Sequence, residues 1–374
     1  STHLRTKLDA ESGACVLTAG VELEGYADTE VCVETAVLYN GEEIDSTRTL
    51  APVRTGEMAN CSLQLNIEQP RLWWPNGHGE QPLYTVRTRV YAGDVMTDEK
   101  NEQLGIRTMT YRRCDNSAAD SLPYNLVVNG KRIYLKGVNI TPLDSMYGSI
   151  PASRYEHLVQ AAAEAHINLI RVWGGGLIES ALFYDLCDQY GILVWQEFIQ
   201  SSSGINNVPS QQPHFLELLR RTAVQATKSR RNHACLAFWN GGNELTEADG
   251  VPVGYDNANI AMLKAVVDEY DPDRLMLPSS ASGPLEFLNP DKPGCNHDVH
   301  GPWKYGGVEE HYTLFNRSDS LLHSEFGVDG MANKEVLNAV LSPANRKVFS
   351  MEENFTWRHH GEWWDTYERD TEIF

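Results

Sequence analysis

No stretch of this 374-residue chain approaches the roughly 20 consecutive apolar residues of a membrane-spanning helix. Basic residues are scarce: 31 Lys and Arg stand against 51 Asp and Glu, a formal charge of −20. Such a surface repels phosphate backbones and anionic lipid, so no nucleic acid and no membrane is expected as a partner, and a neutral ligand fits better. The phosphate-cradling patterns G-x-G-x-x-G and G-K-S/T are missing, and no cofactor is expected. The cysteines, Cys15, Cys32, Cys61, Cys114, Cys187, Cys235 and Cys295, show no C-x-x-C spacing and are odd in number, which points to free thiols over a disulfide framework. Residues 1–7 lack the apolar core of a signal peptide, so the expected location is cytoplasmic, with secreted, periplasmic and lysosomal locations left open. N-x-S/T sites at Asn60, Asn139, Asn316 and Asn354 carry information only in a glycosylating pathway.

What is present divides by its periodicity. From about Ala14 to Tyr111 apolar and polar residues alternate: Val31, Val33, Thr35, Val37 and Tyr39 line one strand face, and Asn40-Gly41 signals a two-residue turn. Leu63, Leu65 and Ile67 repeat the pattern, as do Tyr84, Val86, Thr88 and Val90, which predicts a small β-sandwich over residues 1–112. A linker is expected at 113–122. From Pro123, short apolar runs alternate with amphipathic segments, the grammar of a parallel sheet with crossover helices.

In the first of those helices Ser153 and Glu156 read as a capping box, with Tyr155, Leu158, Val159 and Ala162 on one face. Leu182, Phe183, Leu186 and Tyr190 mark a second helix stopped by Gly191, and Phe215, Leu218, Leu219, Thr222, Ala223 and Ala226 a third. The strands between are expected at Ile133 to Asn139, Asn168 to Trp173, Ile192 to Phe198, Leu236 to Asn243, Leu275 to Ser279, His297 to His300 and Leu321 to Glu325. That is seven of the eight a β/α barrel of about 250 residues requires, so residues 123–374 read as a (β/α)8-type barrel lacking its last strand.

Glu244 and Glu325 then stand out, because each follows an apolar run and falls at the C-terminal mouth of its strand, where barrel enzymes keep their chemistry. A pair of carboxylates there is what glycosidic bond cleavage needs; in the retaining route they lie about 5 Å apart. Gly241 and Gly242 are expected to leave room for a ligand, and Asn243 to offer its amide to a sugar hydroxyl. The strand Arg171-Val172-Trp173 runs into Gly174-Gly175-Gly176. Trp173 is read either as a stacking platform for a pyranose or as a barrel plug, and Arg171 as requiring a carboxylate partner, guessed to be the nucleophile. His297 and His300 lie on opposite strand faces, so no metal is expected there, and one of them is expected to line a sugar pocket. Trp303 reads as a second stacking residue or a rim cover, and Glu197 as pocket lining or an ion-pair partner. Trp239 is assigned to the core, and Trp357, Trp363 and Trp364 to packing, with an aromatic wall for a glycan left open.

These motifs together resemble family 2 glycoside hydrolases, and within them the β-mannosidase branch. Arg171 to Gly176, Phe183 to Gln196, Asn243-Glu244 and Ser324 to Gly327 occur in that family's order, and Leu135 to Asn139 with Pro142-Leu143-Asp144 looks like its first barrel strand and loop. Arg71-Leu72-Trp73-Trp74-Pro75-Asn76-Gly77 and Gly105-Ile106-Arg107 look like its immunoglobulin-like domain. The resemblance implies a retaining hydrolase of terminal β-D-mannosides with Glu244 as acid/base and Glu325 as nucleophile. It also implies Asn243 on the 2-hydroxyl, Trp173 in the sugar subsite, and an oligosaccharide substrate. Family members carry a preceding jelly-roll domain and a final barrel strand with a tryptophan, neither found here, so the chain is expected to be a fragment. Endo-β-mannosidase and exo-β-glucosaminidase action remain open, as do a non-catalytic carbohydrate-binding role, a purely structural role, and assembly as a dimer.

Overall fold

The computed structural model describes residues 1–9, 11–304, 306–328, 332–346 and 354–360. The chain divides into two compact units, Ser1–Ser280 and Ala281–Phe374.

The first unit opens with a β-sandwich. Strands β1 (Thr2–Leu8), β2 (Cys15–Glu24), β3 (Thr29–Tyr39), β4 (Glu42–Val53), β5 (Met58–Ile67), β6 (Tyr84–Ala92) and β7 (Val95–Leu104) form antiparallel sheets ordered β1-β2-β5 and β4-β3-β6-β7. Alternation along the strands sends Leu17, Val37, Leu65, Tyr84 and Val86 into one core. Each such side chain fully buried contributes about 1.5–3 kcal/mol. The β3–β4 turn is built at Asn40 and Gly41, with φ of 52° and 84°, the doubly positive geometry that an Asn-Gly pair adopts most easily.

Strands β8 (Met109–Arg112), β9 (Asn125–Val128) and β10 (Lys131–Arg132) form a small antiparallel sheet, so the 113–122 segment joins two paired strands. Five parallel strands follow in sequence order: β11 (Gly137–Ile140), β12 (Leu169–Val172), β13 (Leu193–Glu197), β14 (Leu236–Asn240) and β15 (Leu275–Leu277). Helices α1 (Ala152–Glu164), α2 (Ala181–Tyr190), α3 (Pro213–Arg230) and α4 (Ala258–Tyr270) occupy the crossovers. Every residue of β12, β13 and β14 is buried, which explains why these strands are largely apolar, with polar side chains only at Arg171, Gln196, Glu197 and Asn240.

Three local expectations change. β11 begins at Gly137, because Ile133 donates its N–H to Leu126 and belongs to the preceding hairpin. Helix α1 has no capping box: Pro151, its φ preset by the ring at −71°, takes the N-cap position and places Ser153 inside the helix. On α3, Leu218 is 61% exposed although the helical pattern placed it on the buried face. Helix α2 follows expectation, with the Ser180 side chain accepting from Phe183 N and Gly191 closing it at φ 73°.

The sandwich docks at the N-terminal ends of the parallel strands. Trp73 Nε1 donates to the Asp188 carbonyl at 2.8 Å, Asn76 N to Gly191 O at 2.8 Å, Asn76 Nδ2 to Ile167 O at 2.9 Å, and Arg107 Nε to Ala234 O at 2.7 Å. These acceptors lie just before or behind the starts of β12, β13 and β14, leaving the opposite strand ends for the residues discussed below.

In the second unit, β16 (Asp298–His300) and β17 (Leu322–Glu325) pair in parallel around the crossover helix α5 (Val308–Arg317), bringing the recognised parallel strands to the expected seven. Helices α6 (Lys334–Val340) and α7 (Phe355–His360) follow, and among the described residues after Glu325 there is no further strand. Trp357 is buried and donates to Asn345 O, a packing role. Trp363 and Trp364 lie outside the described residues. Among the described residues no helix is long and apolar enough to cross a membrane.

Candidate active site

In the first unit the strand ends converge on Arg171. It is 2% exposed, and three segments supply its acceptors: Glu197 Oε1 to Nε at 2.9 Å, Asn139 Oδ1 to Nη1 at 3.2 Å, and Asn243 Oδ1 to Nη2 at 2.6 Å. Its guanidinium also lies 5.9 Å from the centre of the Trp195 ring. Glu197, equally buried, uses its other oxygen to accept the Gly174 N–H at 2.7 Å. A charge taken so far out of water must be matched this completely, and the fixed fork of the guanidinium makes the match a geometric constraint. Within this unit the carboxylate that pairs with Arg171 is Glu197. Of the two roles left open for Glu197, ion pairing is the one its surroundings describe; a group 1% exposed with both oxygens engaged does not line a pocket.

Asn243 extends this network to Glu244. Its backbone bridges Ser201 on one side and Ser280 on the other, continuing the line of β14, and its Nδ2 donates to Ser201 Oγ at 3.2 Å. Glu244 is half-buried, with φ of 50°, a left-handed conformation that costs a residue with a Cβ about 1–3 kcal/mol. It is held there by its N–H on Ser280 O at 2.5 Å and by Ser202 Oγ, which donates to Oε2 at 2.9 Å.

The preceding glycines make the turn possible in a way the sequence reading did not foresee. A Cβ on Gly241 would fall 2.2 Å from the Pro278 carbonyl oxygen, and one on Gly242 would fall 2.6 Å from that of Gln200. Protein backbone fills the space that was expected to receive a ligand.

Trp173 is half-buried beyond the end of β12, its N–H on Ile140 O at 3.2 Å. Its ring lies across Gly175, where a Cβ would come within 2.1 Å of it, so that glycine is the bed on which the indole rests. Trp239 is fully buried, stacks on Phe198 at 5.2 Å and donates to Asp271, which makes it core.

In the second unit Glu325 ends β17 with its side chain 24% exposed, and His300 at the end of β16 places Nδ1 3.6 Å from Glu325 Oε2. The adjoining Gly301 N–H donates to Glu325 O at 2.7 Å. His297 turns elsewhere, its Nε2 on Gly294 O at 3.1 Å, so the two histidines diverge. Trp303 sets its ring edge-on to His300, centroids 6.4 Å apart. His323 donates Nε2–H to Gly301 O at 2.6 Å, and burial pushes its pKa down, which keeps a neutral ring under the β16–β17 corner.

The residues singled out thus fall into two groups: Arg171, Glu197, Asn243 and Glu244 with Trp173 nearby in the first unit, and His300, Trp303 and Glu325 in the second. Ser202 and Ser280 were missed. Ser202 sits in a serine run that is featureless in sequence, and its only signal was its place just past the mouth of β13. Asp185, Asp188 and His233 could each offer a metal ligand atom. Asp188 already satisfies His233 Nδ1 at 2.7 Å and Cys235 N at 2.7 Å, which describes a structural clasp.

Two models of one family match this chain. That of "Glycosyl hydrolases family 2" covers residues 1–107, and that of "Glycosyl hydrolases family 2, TIM barrel domain" covers residues 123–284. The chain belongs to glycosyl hydrolase family 2, with a β-sandwich followed by a barrel-type β/α domain. Among individual relatives, Beta-mannosidase B of Thermothelomyces thermophilus is 30% identical over 320 residues, covering 82% of this chain and 37% of its own length. Beta-mannosidase B of Aspergillus fumigatus is 27% identical over 350 residues, covering 89% of this chain and 40% of its own. The chain thus spans about two-fifths of the length of the curated relatives it matches. The crystal structure of a β-D-mannosidase from Dictyoglomus thermophilum matches with a TM-score of 0.69 at 24% identity, over 83% of this chain and 41% of that one. A putative β-galactosidase from Bacteroides fragilis matches at 0.65 and 17%, over 88% and 47%. These likenesses are to the fold.

Proposed function

We propose that this chain carries the catalytic residues of a retaining glycoside hydrolase acting on terminal β-D-mannosides. In the first step a Glu325 oxygen attacks the anomeric carbon as its bond to the leaving oxygen breaks, and Glu244 gives that oxygen its proton. In the second, Glu244 takes a proton from water, the water oxygen attacks the same carbon, and Glu325 leaves. Two inversions give net retention. Asn243 Nδ2 would donate to the 2-hydroxyl, Trp173 would stack on the sugar, and Arg171 with Glu197 would hold Asn243 in place. His300 would orient Glu325, and Trp303 would pack at the sugar's edge.

The observation that carries this reading is the backbone of Glu244. A strained left-handed glutamate, fixed by Ser280 and Ser202 and adjoining a buried Arg–Glu–Asn network, is a constellation that stability alone does not require. The names of the relatives favour mannosides among β-linked sugars; endo-β-mannosidase or exo-β-glucosaminidase action would use the same two steps.

A panel of nitrophenyl β-glycosides tests it, with the product anomer read by proton NMR. The β-mannoside should turn over fastest with retention. Faster hydrolysis of the β-galactoside or β-glucosaminide would overturn the sugar assignment, and an inverted product the mechanism. Because the chain spans only part of its relatives' length, a second reading is a carbohydrate-binding portion without turnover; calorimetry with manno-oligosaccharides alongside the same assay separates the two.

A further inference from the structure

Outside the residues discussed so far, the 286–288 segment is held against β16: His300 N donates to Glu286 O at 2.8 Å, Leu288 N donates to His300 O at 2.9 Å, and Phe287 bridges His300. This pairing fixes Phe287, which is 50% exposed, with its ring edge-to-face on Trp303 at a centroid distance of 5.9 Å and an interplanar angle of 78°. Trp303 in turn stands at 89° to His300, and His300 is the ring beside Glu325.

Three rings therefore run outward from the Glu325 carboxylate, with exposure rising along the series. His300 is fully buried, Trp303 is half-buried and Phe287 is half open to solvent. Half the surface of a phenylalanine exposed at the end of an otherwise covered aromatic series is an apolar face for a ligand with an apolar face of its own. A pyranose presents one through its axial C–H bonds.

Resting on the β-mannosidase reading above, the geometry points to Phe287 as a specificity-determining residue that stacks on the sugar on the leaving-group side of the scissile bond. The terminal sugar, whose anomeric carbon must reach Glu325, lies at the buried end of the series. The next sugar along the chain lies toward the exposed end, where Phe287 sits. The backbone bonds to His300 set its position independently of any ligand, so the platform is preformed and little ordering is needed on binding.

The test is calorimetry on the chain carrying Glu325→Gln, which leaves ligands intact, with mannose and β-1,4-mannotriose as probes. In that parent, mannotriose should bind about tenfold more tightly than mannose, the increment expected of one aromatic stacking contact. Adding Phe287→Ala should abolish the gain and leave the mannose affinity within about twofold. Phe287→Trp should restore the gain, which a merely structural loss in the alanine variant would not allow. A gain that survives Phe287→Ala, or an equal weakening toward both ligands, overturns the assignment. Failure of the parent to bind either saccharide overturns the mannoside reading itself, a result visible before any change at Phe287.

Discussion

Arg171 joins Glu197, Asn139 and Asn243 through one guanidinium, so its removal reports on the whole network. Arg171→Met would leave the Glu197 carboxylate buried without its counter-charge, and urea unfolding should show a loss of about 3–5 kcal/mol. Changing Glu197→Leu in the same chain should recover part of that loss, because the second change removes the stranded charge. At Glu244 the prediction concerns rate: Glu244→Ala should lower turnover of an aryl β-mannoside by about 10²–10⁴-fold with little change in unfolding free energy. The positions of both glutamates, Glu244 just past β14 and Glu325 at the end of β17, were legible in the sequence because each follows a short apolar run, a local pattern. The pairing of Arg171 with Glu197 was not, since burial made some carboxylate necessary while only the register of β12 against β13 brings Glu197 to it. Ser202 was invisible for the same reason: nothing in a serine run says which hydroxyl reaches a glutamate 42 residues away in sequence.

At the scale of elements, the strand ends work because the connecting turns admit no side chain where backbone passes. Gly241→Ala would drive a Cβ against the Pro278 carbonyl, which cannot rotate away, and should cost about 1–3 kcal/mol while shifting Glu244. Gly175→Ala meets first the ring of Trp173, a side chain that can swing. Its expected signature is a raised KM for the β-mannoside with a near-normal unfolding midpoint. Equal effects of the two substitutions on stability would contradict the distinction. All seven parallel strands were placed from the sequence, β16 without an apolar run, since it reads Asp298-Val299-His300. The misreadings came where one local signal competed with another. Pro151 outranked the Ser153 capping box, and the hairpin claimed Ile133. Leu218 satisfies the helical pattern of α3 yet lies in the exposed wall of a groove it shares with Leu177, Ile178 and Ile199.

Across the first unit as a whole, the sandwich occupies the N-terminal ends of the parallel strands and the Arg171–Asn243–Glu244 network the C-terminal ends, so the supporting contacts and the proposed site are separated. Acid should weaken the supporting end through His3. Burial, followed by Arg231, Arg5 and Arg274 and opposed by Asp273, pushes its pKa down from 6.5 to about 4. The unfolded chain then binds a proton that the folded chain refuses, so this contribution is fully present above about pH 6.5 and is lost as pH falls toward 4. His3→Gln should flatten the fall in Tm across that interval, and an unchanged slope would contradict the assignment. The central claim, that Glu325 attacks the anomeric carbon, is tested most directly by trapping. A β-mannosyl fluoride whose 2-hydroxyl is replaced by fluorine slows release of the covalent sugar, and peptide mass spectrometry locates it. The label is predicted on the peptide bearing Glu325 and should vanish in Glu325→Gln; a label on any other residue would contradict the account.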